Sequence, residues 1–410
     1  MQYGCIGEKL GHSFSAVIHA EIGLYDYVLR PVSREEFHDF MTKRDFLGIN
    51  VTIPYKKDVI PYLKELSLAA QLCNAVNTIV NRNGELYGDN TDFLGMQALL
   101  QHAGISVKGK HVLILGSGGT SGTALALMQH LGAKSVQRVS RSGKDGLITY
   151  AQAHQCKETQ ILINTTPCGM YPNADVCMVD LSAFPQLEGI ADAVYNPLKS
   201  RLVLEGEMRG IPAVGGLYML VSQALFAANI FTGNSTVLSR TDEIYETLLR
   251  SKQNIILTGM PGSGKSTLGK ALTARLGKSF FDADDEIVKT AGKPIPEIFR
   301  DEGEAAFRNM ETEVIRRISA EQGAVIATGG GVPLKEENMR LLKGNGIVLF
   351  LDAPLETLIA TPDRPLSSTP EALRQRYEER YPIYLSTADK RIPVTRDVEA
   401  NLCLLEKELL

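Results

Sequence analysis

Short apolar runs recur along the chain, and helical spacing of apolar residues follows several of them. The clearest runs are "LGINVTI" (47–53), "HVLILG" (111–116), "ILINTT" (161–166), "ADAVY" (191–195), "NIILTG" (254–259), "AVIATGG" (324–330) and "GIVLFLD" (346–352). Near-continuous apolarity, rather than strict alternation, marks strands covered on both faces. Strands alternating with helices predict an α/β architecture with parallel sheets. From Ser239 to Gln253, Ile244, Tyr245, Leu248 and Leu249 keep helical spacing, with Ser239 or Thr241 as the N-cap. A new strand opens at Asn254, so a domain boundary with a short linker is expected near residue 251. No internal repeat or low-complexity tract interrupts the pattern.

Composition narrows the class. A chain of 410 residues implies two to four domains. From Ser251 onward there are 22 basic and 24 acidic residues, of 43 and 47 in all, which leaves −2 on each side of that point. No basic half or tail points to nucleic acid or an anionic membrane surface. The six cysteines are scattered without a C-x-x-C, which does not suit a disulfide framework. The opening "MQYGCIG" lacks a basic region and a long apolar run, and no run approaches the ~20 residues of a membrane helix. A soluble protein of the reducing cytoplasm is expected.

Two different glycine-rich turns follow strand-like runs. The second, from Gly259 to Ser266, fits G-x-x-x-x-G-K-[ST] in full and is followed by Thr267. Its glycines, Gly262 and Gly264 among them, let backbone N–H groups, including that of Ser263, converge on phosphate oxygens. Lys265 reaches the β/γ-phosphates and the Ser266 hydroxyl ligates Mg²⁺. This predicts a nucleoside triphosphate with Mg²⁺ and leaves the acceptor open. "FFDADDEI" sets Asp282 and Asp284 two apart; if extended, they share one side and suit Mg²⁺–water contact and hydroxyl activation. A helix N-cap followed by an acidic first turn is the other reading. "GEAAFRNME" puts Arg308 on a helix, where a surface ion pair is the alternative role. "ATGGGV" sets Gly329, Gly330 and Gly331 after a strand, which suits close backbone approach to a ligand or simply a tight turn.

With "DRPL" and "RYPIY", these motifs resemble shikimate kinase in order over 254–410. The resemblance implies that ATP is the nucleotide, that Asp284 holds and activates the acceptor hydroxyl and that Asp282 assists Mg²⁺. It also implies that Arg308 and Arg380 clamp the shikimate carboxylate beside the Gly330 backbone; guanidinium forks match carboxylates in geometry. Arg364 would neutralise the transferring phosphoryl from a lid. The lid, "ATPDRPLSS", is shorter and less basic than the family's usual one.

The first turn, Gly116-Ser117-Gly118-Gly119-Thr120-Ser121-Gly122, follows "HVLIL" and opens a helix, with Ser121 at the third fingerprint position. About 20 residues on, where an acid would hold the ribose of NAD, stand Ser140, Arg141 and Ser142, which suit a 2′-phosphate and predict NADP. A solvated strand-end charge is the other role for Arg141. Upstream lie Ser13 and Ser15 on one side of an extended turn, then Asn50, Thr52, Lys56, Asn77 and Asp92. Hydroxyls, amides, a lysine and a carboxylate before a dinucleotide fold suit a polyhydroxy acid.

In order, "IGEKLGHSFSAVIH", "GINVTIPYK", "NAVNTI", "GDNTDFLG", "INTTPCGM", "AVYNPLKS" and "GLYMLVSQA" resemble shikimate dehydrogenase over roughly 1–250. The resemblance implies a catalytic pair, Lys56 and Asp92, with Asp92 also binding substrate. Ser13 and Ser15 would hold the carboxylate, Thr52, Asn77, Tyr195 and Gln223 would contact ring substituents or carboxylate, and Thr165 and Met170 would lie by the cofactor. Ala16 and Asn74 depart from the family's usual proline and glycine. The implied domains are an α/β substrate domain at 1–92 completed by 217–250, a Rossmann NADP domain at 93–216, and a P-loop kinase domain with a parallel sheet at 251–410. The implied partners are small molecules, 3-dehydroshikimate and shikimate, turned over in consecutive reactions. A quinate-preferring dehydrogenase fused to another small-molecule kinase, or a non-catalytic nucleotide-binding regulator, are the competing readings.

Overall fold

In the computed structural model, residues 1–10, 14–358 and 369–409 are described, and they build three β-sheets. The first holds β1 (Tyr3–Gly7), β2 (Tyr27–Pro31), β3 (Gly48–Val51), β4 (Glu65–Leu66), β5 (Thr78–Arg82) and β6 (Glu85–Asp89) in the order β2-β1-β3-β5-β6-β4. It is mixed, not parallel throughout as the sequence pattern suggests, because β5 runs antiparallel to both β3 and β6. The tight turn at Asn83 and Gly84, both at positive φ, makes the β5–β6 hairpin possible. Its helix Thr91–His102 packs on the helix Leu217–Thr232 so closely that a Cβ at Gly95 would lie 2.7 Å from the Met219 carbonyl oxygen.

The second sheet is wholly parallel: β7 (His111–Leu115), β8 (Ser135–Val139), β9 (Ile161–Asn164), β10 (Gly189–Asp192) and β11 (Ala213–Val214), ordered β11-β10-β9-β7-β8. The third is also parallel: β12 (Asn254–Thr258), β13 (Ser279–Asp282), β14 (Ala324–Ala327), β15 (Gly346–Asp352) and β16 (Lys390–Pro393), ordered β13-β14-β12-β15-β16. Their apolar runs face helices on both sides. In β7, Val112 and Ile114 join one core and Leu113 and Leu115 another. In β12, Ile255 and Leu257 enter one core and Ile256 the other. The two-residue period thus splits each run between two faces, which is why neither run alternates with polar residues.

In both parallel sheets later strands are laid down on both sides of the first one, β7 or β12. This opens a crevice at the strand's C-terminal end, where α/β sheets bind ligands. Each glycine-rich turn sits there. By contacts the chain divides into two units, Met1–Met170 with Val176–Leu248, and Tyr171–Asp175 with Leu249–Leu410. The helix before β12 spans Thr241–Lys252, so Thr241 opens the helix rather than capping it, and only Gln253 separates helix from strand. Among the described residues no helix is long and apolar enough to cross a membrane.

Candidate active sites

In the first unit, β3 leads into a turn that carries Lys56, and the backbone carbonyl of Lys56 accepts a hydrogen bond from Val76 N at 2.8 Å. Asp92 lies in the first turn of the helix Thr91–His102, whose N-cap Asn90 accepts from Phe93 N at 3.1 Å. A carboxylate there is favoured by the helix dipole. Lys56 Nζ donates to Asp92 Oδ2 at 2.6 Å, so the two residues predicted as a pair, 36 apart in sequence, meet directly. Asn77 is buried beside them. Its Oδ1 accepts from Thr91 N at 2.7 Å and from Thr78 Oγ1 at 3.0 Å, which aims the Nδ2 donors elsewhere, with no partner among the described residues. Asn50 is held behind, accepting from Tyr27 Oη at 2.7 Å and donating to Thr78 Oγ1 at 3.0 Å.

Thr52 stands against Gly7, where a Cβ would come within 2.6 Å of its methyl. Gln223 lies beside Gly95, one turn beyond Asp92, but its Nε2 turns back to the Leu220 carbonyl at 2.8 Å. Ser15 is not in an extended turn as expected; it belongs to the helix Phe14–Ile22. Ser13 lies outside the described residues. The rings of Phe14 and Tyr195 meet edge-on at 5.2 Å, so the loop after β10 touches the start of that helix, and burial raises the Tyr195 phenol above its ordinary pKa. Asn74, where the resemblance expects glycine, adopts φ 47° and ψ 44° as the C-cap of Leu68–Cys73. Asparagine tolerates that left-handed conformation better than most side chains, so the departure keeps the turn.

At the end of β7, Gly116 has φ 122°, and a Cβ there would meet Thr165 Oγ1 at 2.5 Å. Thr165 Oγ1 donates to the Leu115 carbonyl at 2.7 Å, which presses the 165–170 loop onto the glycine turn. The helix Gly119–His130 starts without a side-chain cap, and open space lies over Gly118 and Gly119. Free N–H groups under open space fit a pyrophosphate. The third fingerprint position is filled by the buried Ser121, whose hydroxyl donates to the Gly116 carbonyl at 2.7 Å and closes the turn from within. Ser117 and Thr120 flank these glycines. At the end of β8, Ser140 Oγ accepts from Gly143 N at 3.0 Å, while Arg141 is exposed. Met170 is 41% exposed at the far end of the 165–170 loop.

In the second unit a cleft of about 610 Å³ gathers Lys265, Asp284, Arg308, Gly330 and Arg380. Gly264, at φ 89°, starts the helix Lys265–Leu276, again without a side-chain cap. Lys265 Nζ donates to the carbonyls of Gly259 and Met260 at 2.9 and 3.0 Å, folded over the turn. Ser263 Oγ is buried with no hydrogen-bond partner among the described residues. Uncapped N–H groups and a lysine at their centre fit a triphosphate, with Gly262, Ser266 and Thr267 also on the wall.

The acidic pair differs from the extended arrangement. Asp282 is the N-cap of the helix Ala283–Ala291, its Oδ1 accepting from Asp284 N at 3.1 Å, and Asp284 lies in the first turn. Both still face the cleft, and Ser266 Oγ donates to Asp282 Oδ2 at 2.5 Å, so the residues expected near Mg²⁺ touch. Burial, and then the neighbouring Asp282, raises the Asp284 carboxyl above its ordinary pKa.

Each of the three successive glycines borders one of the candidate site side chains. A Cβ at Gly329 would sit 2.6 Å from Asp284 Oδ1, and one at Gly331 would collide with the Arg308 guanidinium. The Gly330 carbonyl accepts from Arg380 Nη1 at 2.8 Å and from Tyr384 Oη at 2.7 Å. Sequence reasoning missed Glu311, whose buried carboxylate takes both oxygens to Arg308 Nη1 at 3.0 Å and fixes the guanidinium. Burial raises the Glu311 pKa against the pull of Arg308. It also missed Arg376, one helical turn before Arg380 on the cleft wall, held below its ordinary pKa by burial and by Arg380. Their helical spacing from Arg308 and Arg380 was the available signal. Arg364 lies outside the described residues.

Comparison with known proteins adds to this geometry. The family model described as shikimate dehydrogenase substrate binding domain matches residues 5–79, and that described as shikimate kinase matches residues 261–404. A shikimate dehydrogenase (NADP(+)) of Clostridium perfringens is 35% identical over 266 residues, covering 60% of this chain and 97% of its own. Shikimate dehydrogenase 1 from Peptoclostridium difficile superposes with a TM-score of 0.54 at 34% identity, covering 60% of this chain and 98% of its own. A chorismate mutase/shikimate 5-dehydrogenase fusion protein from Clostridium acetobutylicum gives 0.56 at 34% identity, over 60% and 96%.

Proposed function

The chain belongs to the shikimate dehydrogenase family and carries a shikimate kinase domain behind it, and from that premise we propose that its two sites catalyse consecutive reactions: NADPH-dependent reduction of 3-dehydroshikimate to shikimate, then ATP-dependent phosphorylation of shikimate to shikimate 3-phosphate. The observation that carries this is that each unit brings proposed reacting groups together from distant segments: Lys56 on Asp92 in one, and Lys265, Asp284, Arg308 and Arg380 around one cleft in the other. The domain division that follows is 1–92 with 217–250, 93–216, and 251–410. Six unpaired cysteines support a reducing, cytoplasmic setting.

NADPH supplies the hydride and Mg²⁺-bound ATP the phosphoryl group. In the dehydrogenase, Lys56 gives a proton from Nζ to the carbonyl oxygen as it becomes a hydroxyl, and Asp92 fixes that ammonium and binds a ring hydroxyl. The Asn77 Nδ2 donors, with Thr52, Tyr195 and Gln223, orient the ring, and Ser13 and Ser15 hold the carboxylate. The turn Gly116–Thr120 would cradle the pyrophosphate, Ser140 and Arg141 would take the 2′-phosphate, and Thr165 and Met170 would border the nicotinamide. In the kinase, Asp284 takes the proton of the attacking hydroxyl, Arg308 and Arg380 grip the carboxylate beside Gly330, and Lys265 and Arg364 neutralise phosphoryl charge. Ser266 and Asp282, which touch at 2.5 Å, would hold Mg²⁺.

Assaying the whole chain for NADP⁺-dependent oxidation of shikimate and of quinate, and for shikimate-dependent release of ADP, tests the assignment. Turnover of shikimate in both assays is expected; faster turnover of quinate, or no ADP release with shikimate, overturns it. Two substitutions sharpen it. Arg141→Ala should weaken NADPH by about 10–150-fold, the loss of one charged hydrogen bond at ~1.5–3 kcal/mol, and leave NADH nearly unchanged in binding titrations. An equal loss for both nucleotides would count against the 2′-phosphate contact. Gly331→Ala pushes on the end of a flexible arginine rather than on backbone, so the fold should survive while Arg308 leaves its position. The KM for shikimate in the kinase reaction should rise by about tenfold or more, as expected for a disrupted charged pair, with the KM for ATP near wild type.

A further inference from the structure

At the C-terminal end of β10 the carboxyl of Asp192 is fully buried, and the reaction described above does not use it. Its Oδ1 accepts from Asn164 Nδ2 at 2.8 Å and from Val194 N at 2.9 Å, and its Oδ2 accepts from Ser200 Oγ at 2.5 Å. Asn164, which ends β9, is the centre of a second set. Its Oδ1 accepts from Thr166 N at 3.0 Å and Thr166 Oγ1 at 2.7 Å, and its Nδ2 also reaches the Cys168 carbonyl at 3.3 Å. Cys168 N donates in turn to Thr166 Oγ1 at 3.2 Å. Gly169 then passes so near Ser200 that a Cβ there would lie 3.1 Å from the serine Cβ.

One carboxyl therefore ties two loops together at the ligand end of the parallel sheet. The first, 165–170, begins with Thr165 against the Gly116 turn and ends at the exposed Met170. The second, 193–200, carries Tyr195 to the Phe14 ring. Among the described residues no lysine or arginine pairs with Asp192, and burial pushes its carboxyl up to about 7. Burying a carboxyl without a counter-charge is costly, and an apolar residue at a strand end would avoid that cost. What the carboxyl adds is rigidity, because a buried polar network with its donors and acceptors satisfied holds one arrangement.

We infer that Asp192 is a positioning residue for hydride transfer, fixing the nicotinamide-side loop 165–170 and the Tyr195 loop in a single relative placement. This rests on the reading that seats NADP over the Gly116 turn. Misplacing reacting partners by about 1 Å costs on the order of 10²-fold in rate. Asp192 acts through Thr165, Met170 and Tyr195 and touches no reacting atom itself.

The test uses the whole chain with Asp192→Ala, Asp192→Asn and Ser200→Ala, and follows steady-state kinetics together with amide hydrogen exchange. In Asp192→Ala the dehydrogenase kcat should fall by about 10²-fold, with the KM for shikimate within about threefold. The amides of 165–170 should exchange at least about tenfold faster, and the kinase activity of the same chain should match wild type. Asp192→Asn should restore both readouts to within about threefold. Its carboxamide oxygen still accepts from Val194 and Asn164, and its Nδ2 can donate to Ser200 Oγ. Ser200→Ala removes one donor and should shift both readouts in the same direction by less, which keeps the test decisive if Asp192→Ala does not fold. Unchanged kcat and exchange in a folded Asp192→Ala or in Ser200→Ala, or an Asp192→Asn chain as impaired as the alanine variant, overturns the inference. A wild-type chain that does not oxidise shikimate with NADP⁺ overturns the underlying reading instead.

Discussion

Lys56→Ala should lower dehydrogenase turnover by about 10²–10⁴-fold, the usual worth of a positioned acid or base, while leaving the kinase reaction of the same chain near wild type. The lysine sits on a turn held by its own carbonyl and is oriented by one contact, 2.6 Å to Asp92. Removing it leaves the Asp92 carboxylate without its cation, yet Asp92 stays at a helix N-terminus in partial contact with solvent. The fold should therefore persist, and the loss should appear in kcat with a smaller change in KM. Circular dichroism and both activities measured on one preparation check this. An equal fall in both activities with the fold intact would contradict two separate sites.

Asp284→Asn should cost the kinase a similar factor, about 10²–10⁴-fold, and spare the dehydrogenase. The side chain is nearly isosteric, and Gly329 leaves room for it, so the change removes the proposed base and little else. Burial and the adjacent Asp282 raise the Asp284 pKa. A base must be ionised, so kinase kcat/KM should fall as pH drops through that raised value, at a higher pH than an ordinary aspartate would give. The Asn variant should lose this acid limb from its residual activity. A wild-type profile that stays flat down to the normal carboxylate range would argue for another group as base.

Sequence legibility varied with the range of the interactions involved. The turn from Gly259 to Ser266 could be read because its chemistry is local: backbone N–H groups, a lysine and a hydroxyl within eight consecutive residues. The same holds for Gly116 to Ser121, although only the structure showed that the serine closes the turn by donating to the Gly116 carbonyl. The central strands were legible because burial on both faces makes them apolar throughout. The strands β1, β2, β5 and β6 were not, since "YGCIG", "YVLRP", "TIVNR" and "ELYGD" mix glycine and charge with apolar residues. The mixed pairing of the first sheet was hidden for that reason.

Asp282 and Asp284 show where local pattern misleads. Two acids two apart after a strand fit an extended strand end as well as a cap, and the cap prevailed because Asp282 accepts from the Asp284 backbone. The three glycines could not be interpreted from spacing alone: their neighbours Asp284, Arg308 and Arg380 come from segments 45, 23 and 50 residues away. Asp192 was illegible because it lies within an apolar run as one of 47 acids, and its partners Asn164, at the end of β9, and Ser200, the cap of the helix Arg201–Met208, come from separate segments.

A single reaction mixture tests the pairing of the two sites most directly: one purified chain, 3-dehydroshikimate, NADPH, ATP and Mg²⁺, with products separated over time. The account predicts that NADPH is consumed, shikimate rises and then falls, and shikimate 3-phosphate accumulates in proportion to both NADP⁺ and ADP formed. Shikimate accumulating as the end product with no ADP, or NADPH untouched while added shikimate is phosphorylated, would contradict it.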